Sequence, residues 1–468
     1  MPVSRNDDAG FGPNPAGGLS VKTISKLGLL AVVTVTAGCQ TPTQPEGVTT
    51  ETTDSPKPSF ETKPLTGPQA ITSFKARQAD EFLNTIGVNV HMNYLQSAYG
   101  TKWASVVKPR ILELGIRHLR DGGFIHPDEG WMKLVYGRMK ELTPAKVKFT
   151  LMMRPAEGTQ NYTSIPQWER FLKYALPVME SLEGLNEHDL SGRANWPTEV
   201  RTFQQALWNL AKNDARTKHM PVFAPSMGNP GHASQVGNLS AYFNYGNIHP
   251  YPGGKTPLAA YADHVKKITP LTGNRPLVIT ESGYHNTLAW TGGHPPVSER
   301  AMGHYTLRLL FDHFNIGIPR TWLYEMIDQG TDPNRREHHF GLLRADGTPK
   351  PAYNALKNLM NLLKDPGSAF VPGTFAFGLT GDVTGLKSMV LQKRNGRFYV
   401  VLWHDANCFD IVSKVDLQAP GKHIKLELPK SHTVRIYTPA TSGSAVQEKT
   451  GNSIAITVPD HPLIVEIY

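Results

Sequence analysis

The chain has 468 residues, 39% of them hydrophobic and 19% charged, which is ordinary globular composition with material for two or three domains. Its net charge of +9 comes from Lys and Arg scattered without a long basic run. That is the pattern of a solvated surface and not of a nucleic-acid site, and two cysteines exclude a disulfide-built scaffold.

Lys22 and Lys26 precede an apolar run, LGLLAVVTVTA from Leu27, that stops at Gly38-Cys39. The run is too short to span a bilayer and has the charge layout of a secretory signal. Its end, TAGC, resembles the bacterial lipobox. The resemblance implies cleavage before Cys39 and lipidation of its thiol. Residues 1–39 are therefore expected to be a signal peptide, and the mature chain an exported lipoprotein, periplasmic or on the cell surface, touching a membrane through its lipid anchor alone. Thr36 stands where the lipobox usually has leucine, so plain signal-peptidase cleavage and secretion is the alternative. The Gly/Pro-rich lead before the signal places the expected true start near Val21. Residues 40–75 are rich in Thr, Pro, Ser and Glu and poor in large apolar groups, so they are expected to form a disordered tether.

From about Asp80, short apolar runs alternate with helical stretches. The strand candidates are TIGVNVHMN from Thr85, GIRHLRDGG from Gly115, KVKFTLMMRP from Lys146 and LEGLNE from Leu182, then PVFAPSMG from Pro221, YGNIHPYP from Tyr245, PLVITESG from Pro276 and PRTWLYEMID from Pro319. Eight such runs over residues 76–365 predict an α/β fold, a (β/α)8 barrel. Between them Val200, Phe203, Leu207 and Leu210 recur at helical spacing after Pro197, and Ala352, Leu356, Leu359 and Leu363 do so before Asp365-Pro366-Gly367. Residues 366–468 change character: short β-rich runs, with Asn395-Gly396 as a hairpin signal, predict an antiparallel β-sandwich domain. A structural lid is its expected role, sugar binding the lesser alternative.

In a parallel barrel, functional side chains gather where strands run into the following loops. Glu187 ends the fourth candidate strand and Glu281 the seventh, each after an apolar run. Strands four and seven stand nearly opposite in a ring, so two carboxyl groups can face each other across its mouth. Glycosidic cleavage needs such a pair, one group protonating the leaving oxygen and the other attacking the sugar carbon or activating water. A single strand-end glutamate is as readily explained by a rim ion pair.

LNE at the end of strand four and ITESG at the end of strand seven resemble the clan A glycoside hydrolases, retaining (β/α)8-barrel glycosidases. HFGLLRADGTPKPAYNALKNL, from His339, is similar to the tail of such barrels. The resemblance spans about Asp80 to Leu363. It implies that Glu187 is the general acid/base and Glu281 the nucleophile. It further implies that Asn186 bonds the sugar 2-hydroxyl, that Arg120 in HLRDGG supports the nucleophile, and that His249 and Tyr251 in IHPYP line the site beside it. An arginine near Glu281 would lower its pKa; Glu187, without one, is expected to hold the proton. Two features depart from the pattern. The tip of strand eight reads Tyr324-Glu325-Met326, with Trp322 early in the strand, and His188-Asp189 follow the acid where many relatives carry Pro.

Tyr324, Glu325 and His91 are further candidates for sugar contact. Pairing with Arg320, Arg335 or Arg336 is the structural alternative for Glu325. Trp290, in the long loop HNTLAWTGGHPP, is the candidate stacking platform. Asn93, Asp121, Arg154, Trp131 and Trp403 are weaker candidates. His338-His339 lacks zinc spacing, DQGTDPNRRE lacks calcium-loop order, and there is no phosphate loop or GxSxG. No metal or cofactor is thus expected, and the partner is a polysaccharide or oligosaccharide acted on by a monomer. The competing readings are a catalytically inactive carbohydrate-binding surface protein and a transglycosidase using the same residues.

Overall fold

The structure is a computed structural model and describes residues 63–468. The expected signal, the Cys39 lipidation site and most of the expected tether lie outside the described residues. No helix among the described residues is long and apolar enough to cross a membrane.

Eight strands form a parallel ring: β1 Ile86–Asn89, β2 His118–Gly123, β3 Lys148–Met153, β4 Met179–Glu183, β5 Val222–Phe223, β6 Gly246–Ile248, β7 Leu277–Ser282 and β8 Thr321–Leu323. Each coincides with or overlaps a run the sequence marks. Hydrogen bonds link them in the order β5-β4-β3-β2-β1-β8-β7-β6. A parallel bridge between Phe223 and Tyr245 joins the two ends, closing the barrel. The strands are buried on both faces, as a sheet covered by helices outside and side chains inside must be. Trp322 is one of those interior side chains. It is fully buried, meets Phe223 across the ring at 5.9 Å between centroids, and lies over Gly87. A Cβ at Gly87 would stand 2.4 Å from the indole, so only glycine leaves the indole this room.

Three helices support the site and the join to the C-terminal domain: α1 Trp196–Asn213, α2 Glu299–Asn315 and α3 Pro351–Leu363. α1 buries Val200, Phe203 and Leu207 of its predicted stripe and half-buries Leu210, and α3 buries Ala352, Leu356, Leu359 and Leu363, as their spacing predicts. α2 is different. Every residue from Ala301 to Asn315 is buried. One side packs on the barrel and the other lies under the β domain, where Asp312 accepts hydrogen bonds from Lys387 Nζ and Trp403 Nε1, both at 2.8 Å.

The β domain contains β9 Thr374–Gly381, β10 Leu386–Gln392, β11 Phe398–His404, β12 Lys422–Tyr437, β13 Gln447–Val458 and β14 Leu463–Ile467. Gly396 turns the β10–β11 hairpin at φ +85°. The 16-residue β12 pairs with β9 through its first half and with β14 through its second, with a register irregularity between Glu427 and His432. A strand that changes partners in this way folds the sheet over its own core of Phe377, Leu379, Leu402, Leu426, Val434 and Val465. The expected tether boundary at residue 75 needs correction. Gln69–Lys75 is a strand that pairs antiparallel with β9, and Arg77–Gln78 pairs parallel with β10. The β domain therefore draws strands from both ends of the barrel sequence.

Candidate active site

Arg120 is the centre of the barrel mouth. It sits in β2, is buried, and uses its whole guanidinium. Nε and Nη2 grip Glu183 at 2.6 and 2.8 Å, Nη1 reaches Asn89 Oδ1 at 2.9 Å and Glu281 Oε1 at 2.7 Å, and Nη2 reaches Asn186 Oδ1 at 2.7 Å. These contacts engage all five N–H donors with three side chains besides the bidentate Glu183. Burial pushes the guanidinium pKa down, but the Glu183 and Glu281 charges more than offset it, so the cation is held firmly.

Glu183 has no exposed surface and is the hub of a polar layer. Besides Arg120 it accepts from Asn247 Nδ2 at 2.9 Å and Thr280 Oγ1 at 3.1 Å, so β2, β4, β6 and β7 are tied together below the mouth. Glu183, Asn89, Asn247 and Thr280 were not among the residues the sequence singles out. The available signal was Glu183 itself, a carboxylate inside an apolar strand.

Glu281 lies near the end of β7 and is 8% exposed. Both oxygens are engaged: Oε1 by Arg120, and Oε2 by the Tyr251 hydroxyl at 2.8 Å. Burial pushes its pKa up. The charges of His249 and Arg120, with the hydrogen bonds from Tyr251 and Arg120, outweigh that and set it below the ordinary carboxyl value.

Glu187 lies past β4, with φ at +43°. That left-handed backbone costs a side-chain-bearing residue on the order of 1–2 kcal/mol. The cost is borne locally. Its N–H donates to Ser226 Oγ at 3.1 Å, and two residues on Asp189 accepts the Gly228 and Asn229 N–H groups at 2.8 and 2.9 Å. His188 is held by Glu199 of α1 at 2.7 Å. The His188-Asp189 pair that departs from the family pattern is thus the clamp that fixes the Glu187 turn. The Glu187 side chain keeps 27% exposure, against 10% for Glu281, and faces His249 Nδ1 at 2.7 Å.

His249 links the two carboxylates, its Nδ1 lying 3.7 Å from Glu281 Oε2. Its Nε2 lies 2.9 Å from Thr280 Oγ1. Burial lowers the imidazole pKa, and Glu281 and Glu187 together raise it above the ordinary value. One oxygen of each glutamate and one nitrogen of His249 lie within 4.8 Å of one another. This is also a metal-type ligand set, but both Glu281 oxygens already accept hydrogen bonds from Arg120 and Tyr251.

Glu187, Glu281, Asn186, Arg120, His249 and Tyr251 thus form one connected network. Asn186 spends its carbonyl on Arg120 and Ser226, and among the described residues its NH2 donates to no protein group. Tyr324 stands at the edge of the network, its ring 6.4 Å from that of Tyr251, and its peptide bond to Glu325 is cis.

The remaining candidates are placed differently. Glu325 is fully buried, bonded to Tyr99 at 2.8 Å and Gln329 at 2.9 Å, with His91 at 3.2 Å. Its expected contact with sugar is corrected: both oxygens are taken inside the protein. None of the proposed arginines meets it either, since Arg320 pairs with Glu180, Arg335 with Asp332 and Arg336 with Glu337. His91 faces Glu325 and stacks on Tyr94 at 4.5 Å. Trp290 donates to Gly293 O at 2.8 Å under the Arg336 guanidinium, and no contact joins it to the carboxylate pair. Asp121 is spent on the Met92 and Gly122 N–H groups, its pKa pushed by burial to about 7. Asn93, Trp131 and Arg154 line a small cavity of about 40 Å³. Trp403, on β11, is fully buried against Phe311 and Asp312 of α2, which excludes sugar stacking.

No protein-family model matches the chain, and no curated protein matches it in sequence. Solved structures do match in shape. A family 39 glycoside hydrolase from Bacteroides cellulosilyticus WH2 has a TM-score of 0.56 at 17% identity, over 84% of this chain and 82% of that one. A glucosidase from Croceicoccus marinus has a TM-score of 0.55 at 10% identity, over 86% and 96%. A family 51 α-L-arabinofuranosidase from Bifidobacterium longum has a TM-score of 0.51 at 10% identity, over 87% and 100%. The chain therefore has the fold of these glycoside hydrolase structures, a (β/α)8 barrel accompanied by an antiparallel β domain.

Proposed function

We propose that the chain is a retaining glycoside hydrolase acting on O-glycosidic bonds of a polysaccharide or oligosaccharide. The observation that carries this is the closeness and inequality of the two carboxylates: oxygens within 4.8 Å, one glutamate ion-paired to Arg120, the other facing an imidazole. Retaining enzymes hold their carboxyl groups about 5–5.5 Å apart, and inverting enzymes about 6.5–9.5 Å to admit a water. The shared fold supports the same reading.

Glu281, ionised and aimed by Arg120 and Tyr251, attacks the anomeric carbon. Glu187 gives its proton to the departing oxygen. The proton has a defined place. The one Thr280 hydroxyl hydrogen faces two acceptors, Asn247 Oδ1 at 2.9 Å and Glu183 Oε1 at 3.1 Å, so Oγ1 accepts from His249 Nε2–H. His249 Nδ1 and Glu187 Oε1 then share one proton across 2.7 Å. When Glu281 becomes an ester its charge is lost, and Glu187 takes the proton from the incoming water. The free NH2 of Asn186 serves the sugar 2-hydroxyl. Residues 22–39 support placing this activity outside the cytoplasmic membrane, on a lipid anchor at Cys39.

The test is product release from a panel of bacterial and plant polysaccharides, with the anomeric form of the first product read by NMR. Release with retained configuration is the expected result. Inverted product contradicts the double displacement, and binding without release at any substrate replaces the enzyme with a lectin. The pH profile is a second check. The folded-state pKa of Glu281 lies below its unfolded value, so the ionised form is stabilised above the ordinary carboxyl range, and that contribution is lost only as pH falls through the lowered value. The acid limb of kcat/KM is accordingly expected below about 4.3, the ordinary Glu value. An acid limb well above it would mean that Glu281 is not the group that must be ionised.

A further inference from the structure

Away from the barrel mouth, three segments distant in sequence bring ligand-type side chains together. His304 comes from α2, Cys408 follows β11, and Asp460 precedes β14. A nitrogen of His304, the Sγ of Cys408 and a carboxylate oxygen of Asp460 lie within 4.8 Å of one another, and all three residues are buried. The buried imidazole of His461 packs edge-on beside the group, its ring 4.5 Å from that of His304.

His304 Nδ1 stands 2.9 Å from Asp460 Oδ1 as an ion-pair contact between two buried groups. The other Asp460 oxygen is held by Arg300 Nη2 at 3.0 Å, which fixes the carboxylate and leaves Oδ1 facing the group. Arg308, also on α2, donates to Ala406 O at 2.5 Å and holds the loop that carries Cys408.

We propose that His304, Cys408 and Asp460 form a zinc site. Thiolate, imidazole and carboxylate are all donors that Zn²⁺ takes, and a hard cation such as Mg²⁺ or Ca²⁺ would not select a thiol. Binding forms a Zn–S bond and releases the Cys408 thiol proton to solvent, with no change of oxidation state. The metal would pin α2 to the β11 and β14 connections, joining barrel and β domain.

The full chain, stripped with a chelator, re-equilibrated with Zn²⁺ and desalted, is expected to retain about one zinc per chain by elemental analysis. Co²⁺ in its place is expected to give a thiolate-to-metal charge-transfer band. Cys408→Ser should lose both, and zinc should raise the Tm of the wild type but not of the variant. Cys39→Ser separates the two cysteines without touching the fold described here, and the band should survive it. Wild-type protein that retains no zinc and shows no cobalt band overturns the proposal without recourse to any variant. So does a band that disappears with Cys39→Ser, or zinc retention undiminished in Cys408→Ser.

Discussion

Glu281→Gln and Glu187→Gln are expected to abolish most glycoside cleavage while leaving the protein folded, and to do so in distinguishable ways. The amide at 281 still accepts from Arg120 through its carbonyl, so the polar layer keeps its geometry, but it cannot form the glycosyl ester. Its loss should be uniform over all leaving groups. The amide at 187 cannot deliver a proton, a function that contributes typically 10²–10⁴-fold. A leaving group that needs no proton, such as a nitrophenolate, should therefore recover much of the first step in Glu187→Gln and none in Glu281→Gln. The measurement is kcat/KM for both variants on a natural and an activated substrate. Near-normal turnover by either variant, or equal recovery of both on the activated substrate, removes the assigned roles.

Arg120→Met should cause the largest loss of stability of any single change at the site. The side chain is replaced by one without charge, and two buried carboxylates lose their only guanidinium: Glu183, which has no exposed surface, and Glu281. Removing one partner of a buried ion pair costs about 3–5 kcal/mol, because the other charge is left uncompensated. Arg120→Lys should recover part of the stability and little of the activity. An ammonium has three donors on one atom and cannot serve Glu183, Asn89, Asn186 and Glu281 at once. Denaturant unfolding of the two variants, set beside their residual kcat, checks both statements. A Met variant within about 1 kcal/mol of wild type would mean that water takes over the role of the guanidinium.

The barrel was legible because strands buried on both faces leave dense apolar runs, and Glu187 and Glu281 because each interrupts the end of one. Glu183 was harder to see. It stands four residues before Glu187 in the same run, and what makes it the hub is contact with Arg120, Asn247 and Thr280, at least 63 positions away. Such pairing depends on barrel register, which local pattern does not carry. Glu325 was misjudged for a related reason: the tip of β8 turns inward, and the partners that claim it, Tyr99 and Gln329, include one 226 positions distant. The strand Gln69–Lys75 escaped notice because it buries little. It is mostly exposed, and its order comes from backbone pairing along one edge of β9, so its composition reads like a linker.

The burial of α2 on both sides has an architectural consequence. In a modular enzyme an accessory domain can be trimmed or exchanged at its linker. Here the linker between α3 and β9 is a poor place to cut, because Asp312 and Arg308 of a barrel helix are roofed by the β domain. A barrel released from that roof would expose an uncovered helix face with an orphaned Asp312, and would leave the strand before β1 without its sheet. The two parts are therefore one packing unit. A homologue that lost the β domain would have had to rewrite α2 at the same time, whatever became of the glutamates at the other end of the barrel.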